Sequence, residues 1–236
     1  MSQFEAVDPD FTPEQNKTWA ELYRRQLPRV QRWAASEYLE GFGPLGIPSD
    51  GVPSLDYLTS KIEPMTGWKV IRTHTRYSEA DEWYSQMNRK LFLVTDYMRE
   101  WEELDWTPEP DMFHDIFGHL PYFMLPRYVE LFEIFAPAYL SASTDEQRES
   151  VKRLAWFSTE FGVKLENGEK KIFGTGLMSG GDEMDRVMQP DFPLVPFTVE
   201  NVISKHKVMY EHHDQLFVFE SMDEIRADMQ SYFETF

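Results

Sequence analysis

Apolar positions along this chain recur mostly with the helical period, interrupted by clusters of glycine and proline. Thr12-Pro13-Glu14-Gln15 predicts a helix start: Thr as N-cap, Pro at the first helical position, Gln three residues after the cap. Trp19, Leu22, Tyr23, Gln26 and Leu27 follow at helical spacing. Pro28 is expected to break or bend this helix, with residues 30–39 as its successor. Gly41, Gly43, Pro44, Gly46, Pro48, Gly51 and Pro53 fall outside any period and predict a loop. A short helix over 55–62, a strand over 68–75 and a helix over 78–88 come next; the apolar run 91–98 fits either type. Thr107-Pro108-Glu109-Pro110 cannot be helix interior, and Asp111 behind it is a good N-cap. Residues 127–140 carry Val129, Phe132 and Phe135 at helical spacing, and 145–161 form a long helix that Gly162 can end. Residues 164–169 read as a hairpin turn leading into 171–177, and 215–219 as a strand. Ser221-Met222-Asp223-Glu224 is a capping box for a last helix. The prediction is mainly α with a few short β-strands. One domain spans residues 11–236 behind a flexible N-terminus of residues 1–10.

Composition narrows the class. The 236 residues are 42% hydrophobic and 15% aromatic, enough for a sizeable core built largely from Phe, Tyr and Trp. Lys+Arg 23 against Asp+Glu 41 leaves a net charge of −18. That argues against a nucleic-acid partner, whose phosphates require Lys and Arg, and against an anionic membrane surface. With no cysteine, disulfides and thiolate metal sites are excluded, so any metal must sit on N and O ligands. Met1 to Asp10 has neither a basic nor an apolar run, and no stretch of 18 apolar residues exists. Neither a secretory signal nor a membrane span is expected, and the cytoplasm is the expected location.

Two of the six histidines lie in His114-Asp115-Ile116-Phe117-Gly118-His119. Five residues of α-helix rotate about 140° beyond a full turn, so both can bind one ion only if the helix begins, ends or distorts between them. Glu160 sits near the end of the helix over 145–161, one turn after Trp156 and Phe157 on a face that reads as buried. An ionised carboxylate there costs several kcal/mol unless paired or metal-bound. The alternatives are two unrelated histidines, and a salt bridge from Glu160 to Arg153 or Arg186. Two histidines and a carboxylate are the ligand set of the facial triad of non-haem iron oxygenases, and they equally permit zinc with a water.

The stretch from Thr107 through His114 and His119 to Pro121 resembles the signature of the pterin-dependent aromatic amino acid hydroxylases. Trp156-Phe157-Ser158-Thr159-Glu160-Phe161-Gly162-Val163 resembles their second iron motif, and Phe173-Gly174-Thr175-Gly176-Leu177-Met178-Ser179 their substrate-pocket strand. The order and separations match, and from about Phe11 onward the chain is similar to the short bacterial phenylalanine 4-monooxygenases. Thr66-Gly67-Trp68 is typical of them. The resemblance implies a single catalytic domain of this type, with Fe(2+) on His114, His119 and Glu160. It implies tetrahydrobiopterin, or a related tetrahydropterin, and O2 as co-substrate in hydroxylating the ring of an aromatic amino acid, first L-phenylalanine. By matching position Arg99 grips the substrate carboxylate, as an arginine fork suits a carboxylate, and Asp111 orients it. Thr107, Pro108, Trp156, Phe161 and Ser179 line the amino acid pocket. Asp115 stands where the family carries an acid beside the pterin, and Trp83 roughly matches an aromatic on which the pterin stacks. Trp rather than Phe before Phe157 favours a phenyl ring over an indole.

Two departures stand near the substrate. The family usually has a tyrosine just before the position of Trp156; here it is Ala155. A second serine often follows Ser179; here Gly180-Gly181 follows. These put the ring position and the coupling of oxygen use in doubt and keep open meta-hydroxylation, another aromatic substrate, or a protein that binds without efficient turnover. A zinc hydrolase on the same ligands is the third reading. The resemblance covers only the catalytic domain, and a monomer is expected. His206, His212 and His213 lie outside the motifs and are expected at the surface.

Overall fold

The computed structural model describes residues 4–5, 11–76, 78–107, 109–207 and 211–236. Helix α1 (Pro13–Trp33) starts on the expected capping box: the Thr12 hydroxyl accepts from Gln15 N and the Gln15 side chain from Thr12 N. Pro28 does not end it. The buried face of Trp19, Leu22, Gln26 and Val30 runs through the proline, and this packing outweighs the roughly 3 kcal/mol that an interior proline costs. The successor α2 is therefore Ser36–Leu45, and it takes in Gly41, Gly43 and Pro44 from the expected loop. Gly41 is required there: a Cβ would lie 1.8 Å from the Pro121 carbonyl oxygen, just past His119. Helix α3 (Leu55–Thr66) is capped by Ser54 and closed by Gly67 at φ 77.

Strands β1 (Phe4–Glu5), β2 (Lys69–Thr73) and β3 (Leu91–Thr95) form one small sheet. β2 and β3 run parallel, with Lys69 opposite Leu91, and α4 (Ala80–Met87) crosses between them. The ambiguous apolar run is thus a strand, four of its five residues buried. The expected helix over 127–140 is two helices, α5 (Pro126–Phe132) and α6 (Phe135–Ser141). Pro137 has no N–H to give to the Glu133 carbonyl, and this missing bond falls at the break between the two helices. Helix α7 (Asp145–Ala155) opens on a capping box of Thr144 and Gln147.

Strands β4 (Val163–Glu166) and β5 (Glu169–Ile172) make the expected hairpin, with Asn167 and Gly168 both at positive φ (53 and 80) as its tight turn requires. The chain does not continue as a strand to Leu177. After Ile172 it turns into the short helix α8 (Thr175–Ser179), followed by α9 (Gly181–Val187). Strand β6 (Leu194–Pro196), helix α10 (Val199–Ser204), strand β7 (Leu216–Phe219) and helix α11 (Met222–Phe233) complete the chain. The second sheet has the order β5-β4-β7-β6, with β4–β7 and β6–β7 parallel. Ser221 caps α11 by accepting from Glu224 N. The fold is mainly helical with a few short strands. Its core is aromatic: Trp19, Trp68, Tyr38, Tyr122, Phe92, Phe113, Phe117 and Phe123 are among its largest fully buried side chains. None of the described helices is long and apolar enough to cross a membrane.

Candidate metal centre and active site

Asp111 starts the site. Fully buried, it caps the next segment by accepting from His114 N at 3.0 Å, as expected from its place after Pro110. It also accepts from Arg99 N (3.1 Å), Nε (2.8 Å) and Nη2 (2.9 Å). Burial pushes its pKa up, and the Arg99 guanidinium outweighs this and holds it below the usual carboxylate range. Arg99 is itself 4% exposed, and Asp111 occupies two of its five N–H donors, leaving three for the cavity it lines.

The capped segment becomes a π-helix over His114–His119. This is the distortion that a five-residue spacing demands, because i→i+5 bonding stacks residues five apart on one face. A second π turn, Trp156–Glu160, ends the helix begun by α7, with Phe161 N bonded to the Trp156 carbonyl at 2.8 Å. His114 Nε2 and His119 Nε2 lie 3.2 Å apart, and the Glu160 carboxylate stands 3.2 Å from His119 Nε2 and 3.6 Å from His114 Nε2. Two glycines permit the convergence. A Cβ on Gly118 would meet the Thr175 carbonyl at 2.6 Å, and one on Gly174 the Glu160 carbonyl at 2.2 Å.

Neighbouring groups set each ligand. The Ser179 hydroxyl lies 3.3 Å from the Thr175 and Gly176 carbonyls and 2.9 Å from His114 Nδ1. Its one proton serves a carbonyl, so Nδ1–H of His114 donates to Ser179 and Nε2 keeps a lone pair for a metal. His119 has no such partner at Nδ1 among the described residues; its ring is held against Phe92 (4.9 Å) and Phe132 (6.5 Å). Thr175 Oγ1 donates to Glu160 at 2.9 Å. Burial and the neighbouring His119 charge lower the His114 pKa to about 4. Burial pushes Glu160 up, but the two histidines outweigh it and hold it at about 2. At neutral pH Glu160 is an anion facing a lone pair of neutral His114. Arg153 donates to the Ile203 carbonyl and Arg186 lies over Phe192, so neither is the salt-bridge partner that the sequence left open.

The cluster opens on a cavity of about 270 Å³. Arg99, Thr107, Trp156, Phe161 and Ser179 line it, as do Asp115 and, from α4, Trp83. Asp111 does not line it and meets it through its bonds to Arg99 and to His114 N. Pro108, expected in the same pocket, lies outside the described residues. Asp115 is 7% exposed and accepts from Thr95 N at 2.8 Å; burial, opposed by that bond, raises its carboxyl to about 7. Ala155 also lines the cavity where a larger side chain was expected from the resemblance. His213 is a correction: it is 2% exposed and lines the cavity, bonded to Glu183 and Trp156. Its position outside every motif gave no sign of this. Thr175 stands inside a quoted motif, but only the folded chain shows its bond to Glu160.

Two imidazoles and a carboxylate converging beside a partly aromatic cavity define the 2-His-1-carboxylate class of metal site. A family model described as biopterin-dependent aromatic amino acid hydroxylase matches residues 4–236. The chain belongs to this family. The phenylalanine-4-hydroxylase of Mesorhizobium japonicum is 31% identical over 231 residues, covering 96% of this chain and 82% of the relative. The Chromobacterium violaceum phenylalanine hydroxylase structure with bound iron(III) and 7,8-dihydrobiopterin superposes with a TM-score of 0.89 at 27% identity, covering 96% and 82% of the two chains. The phenylalanine hydroxylase of Colwellia psychrerythraea gives 0.89 at 29% identity, covering 98% and 92%. Iron and a biopterin are accordingly the cofactors of the family, and the residues present fit the metal: ligand atoms bonded to one ion at about 2.1 Å lie about 3.0–3.4 Å apart. The two separations at His119 Nε2 are 3.2 Å, and the 3.6 Å from His114 Nε2 to Glu160 is only slightly longer. Without a cation, the Nε2 lone pair of His114 faces the Glu160 carboxylate, and no lysine or arginine pairs with Glu160 among the described residues.

Proposed function

We propose that this protein is an Fe(2+)- and tetrahydropterin-dependent monooxygenase that hydroxylates the ring of L-phenylalanine to give tyrosine. The observation that carries it is the convergence of His114, His119 and Glu160 on the same cavity that Arg99 and Trp156 line. His114, His119 and Glu160 hold the iron. When bound, iron and the tetrahydropterin would supply the activation of dioxygen, one atom going to the ring and the other being reduced with the two electrons of the pterin. The remaining work belongs to the chain. Arg99, held by Asp111, presents its free N–H donors to the substrate carboxylate. Trp156 and Phe161 offer apolar faces to the ring, with Thr107 and Ser179 completing the pocket. Ser179 doubles as the partner that fixes the His114 tautomer. Asp115 and Trp83 face the pterin, one as a hydrogen-bonding acid and one as a stacking surface. The binding steps need no macromolecule, and we expect a cytoplasmic monomer without nucleic-acid or membrane partners.

Ala155 in the cavity wall favours one further reading, in which the added room changes the ring position hydroxylated or uncouples oxygen use from product. A panel of aromatic amino acids with Fe(2+), tetrahydropterin and O2, read by mass spectrometry with para- and meta-tyrosine separated, tests both. Para-tyrosine formed only when pterin is present supports the proposal. Turnover without pterin, or with zinc and not iron, overturns it.

A further inference from the structure

In the wall of the cavity Trp156 meets a hydrogen-bonded pair, Glu183 and His213, to which no role has been assigned above. Glu183 on α9, His213 just before β7 and Trp156 on the π turn come together from three separate elements. The His213 backbone N–H donates to Glu183 Oε1 at 2.9 Å, and its Nδ1 lies 2.7 Å from the same oxygen. Trp156 Nε1 donates to His213 Nε2 at 3.1 Å. Indole Nε1–H is only a donor, so Nε2 of His213 must carry a lone pair and Nδ1 the proton. The directions are thereby fixed: Trp156 to His213 to Glu183. Burial raises the Glu183 pKa, and the bonds from His213 outweigh this and leave it below the usual carboxylate range. The imidazole also packs on Phe161 at 4.2 Å and on Phe157 at 6.0 Å. Trp156 and Phe161 lie 4.7 Å apart, so the same imidazole holds both aromatic walls.

We infer that the Glu183–His213 pair is a positioning device that sets the plane of Trp156 and, with it, substrate specificity and the ring atom turned toward the metal ligands. The physical need is plain. Trp156 is half-buried, and its indole can pivot unless its one polar atom is tethered. The tether also reaches the turn that carries Glu160 four residues later, so the ring wall and a metal ligand share one support. His213 acts through Trp156 and is not itself a catalytic residue. This inference rests on the proposed aromatic hydroxylation.

The test uses the full chain with His213→Phe, His213→Gln and Glu183→Leu. Gln can accept from Trp156 and donate to Glu183, so it keeps the tether, whereas Phe keeps only the packing. The primary readout is the Trp156 indole N–H resonance in ¹⁵N-labelled protein, assigned with Trp156→Phe; it reports the tether whether or not the enzyme turns over. The Phe and Leu variants should shift this resonance and broaden the distribution of hydroxylated ring positions. They should also raise KM for L-phenylalanine about tenfold, the factor that a lost bond in such a network is worth. The Gln variant should return each measure to within about threefold of the parent, given comparable Tm values. An unmoved indole resonance in His213→Phe overturns the inference, and so does equal impairment of Gln and Phe, which would mark packing alone. If the parent hydroxylates no aromatic amino acid while the resonance shifts as expected, the functional proposal has failed and the tether stands.

Discussion

Replacing Asp111 by alanine should damage this protein in two separable ways. The carboxylate is fully buried and accepts four hydrogen bonds, three from Arg99 and one from His114 N. Its removal strands a guanidinium that is 4% exposed. Breaking one half of a buried pair costs about 3–5 kcal/mol, and losing the N-cap bond adds about 1 kcal/mol. The sum, about 4–6 kcal/mol, is a large part of the 5–15 kcal/mol that typically separates folded from unfolded chains. Urea unfolding at pH 7, with and without the substitution, measures it. The pH dependence carries a sign. The Asp111 pKa is depressed in the folded state, so its contribution is complete above the unfolded value of about 3.9 and is lost as pH falls through the lower folded value. The parent should therefore lose stability more steeply below about pH 4 than Asp111→Ala does. The double variant Arg99→Leu, Asp111→Leu should recover most of the stability, because an apolar pair removes both buried charges, while binding of an amino acid carboxylate stays lost. A loss below about 1 kcal/mol in Asp111→Ala, with amino acid affinity unchanged, would mean that Asp111 neither neutralises nor positions Arg99.

Further outcomes follow from the same geometry. Gly118→Ala should lower iron content and stability together, since its Cβ would lie 2.6 Å from the Thr175 carbonyl and the π turn must move to admit it; metal analysis and thermal unfolding check this. Thr175→Val removes the hydroxyl bonded to Glu160 but keeps the shape; about a tenfold loss of iron affinity is expected by titration, with Tm changed by a few degrees at most. Ala155→Tyr fills part of the cavity beside the ligands and should alter the peroxide released per product formed, measured with a peroxide assay alongside product analysis.

Local chemistry explains which features were legible in the sequence. Thr12 and Ser221 cap helices because short polar side chains reach the free N–H groups, and that signal needs no neighbours. Asn167-Gly168 turns the β4–β5 hairpin for an equally local reason. Pro28 and Gly41 misled because their consequences are set at a distance, by the continuous apolar face of α1 and by the Pro121 carbonyl against α2. The three metal ligands could be named from ordered motifs, yet spacing alone demanded only some distortion between His114 and His119. That it is a π turn, and that a second π turn carries Glu160, emerges only from the packed chain. Phe173 to Ser179 was expected as a strand, but two glycines let it hug the Glu160 turn and then coil into α8. His213 was expected at the surface because nothing nearby in sequence marks it; its partners are 30 and 57 residues away.

If His114, His119 and Glu160 hold one iron that this chain uses on an aromatic amino acid, iron and product must be lost together. The most direct measurement pairs iron content with product formation for the parent and for Glu160→Ala, using L-phenylalanine, tetrahydropterin and O2. The parent should carry close to one iron per chain and form tyrosine only with pterin, with both iron and product lost in the variant although it remains folded. Full iron and full rate in Glu160→Ala would contradict it.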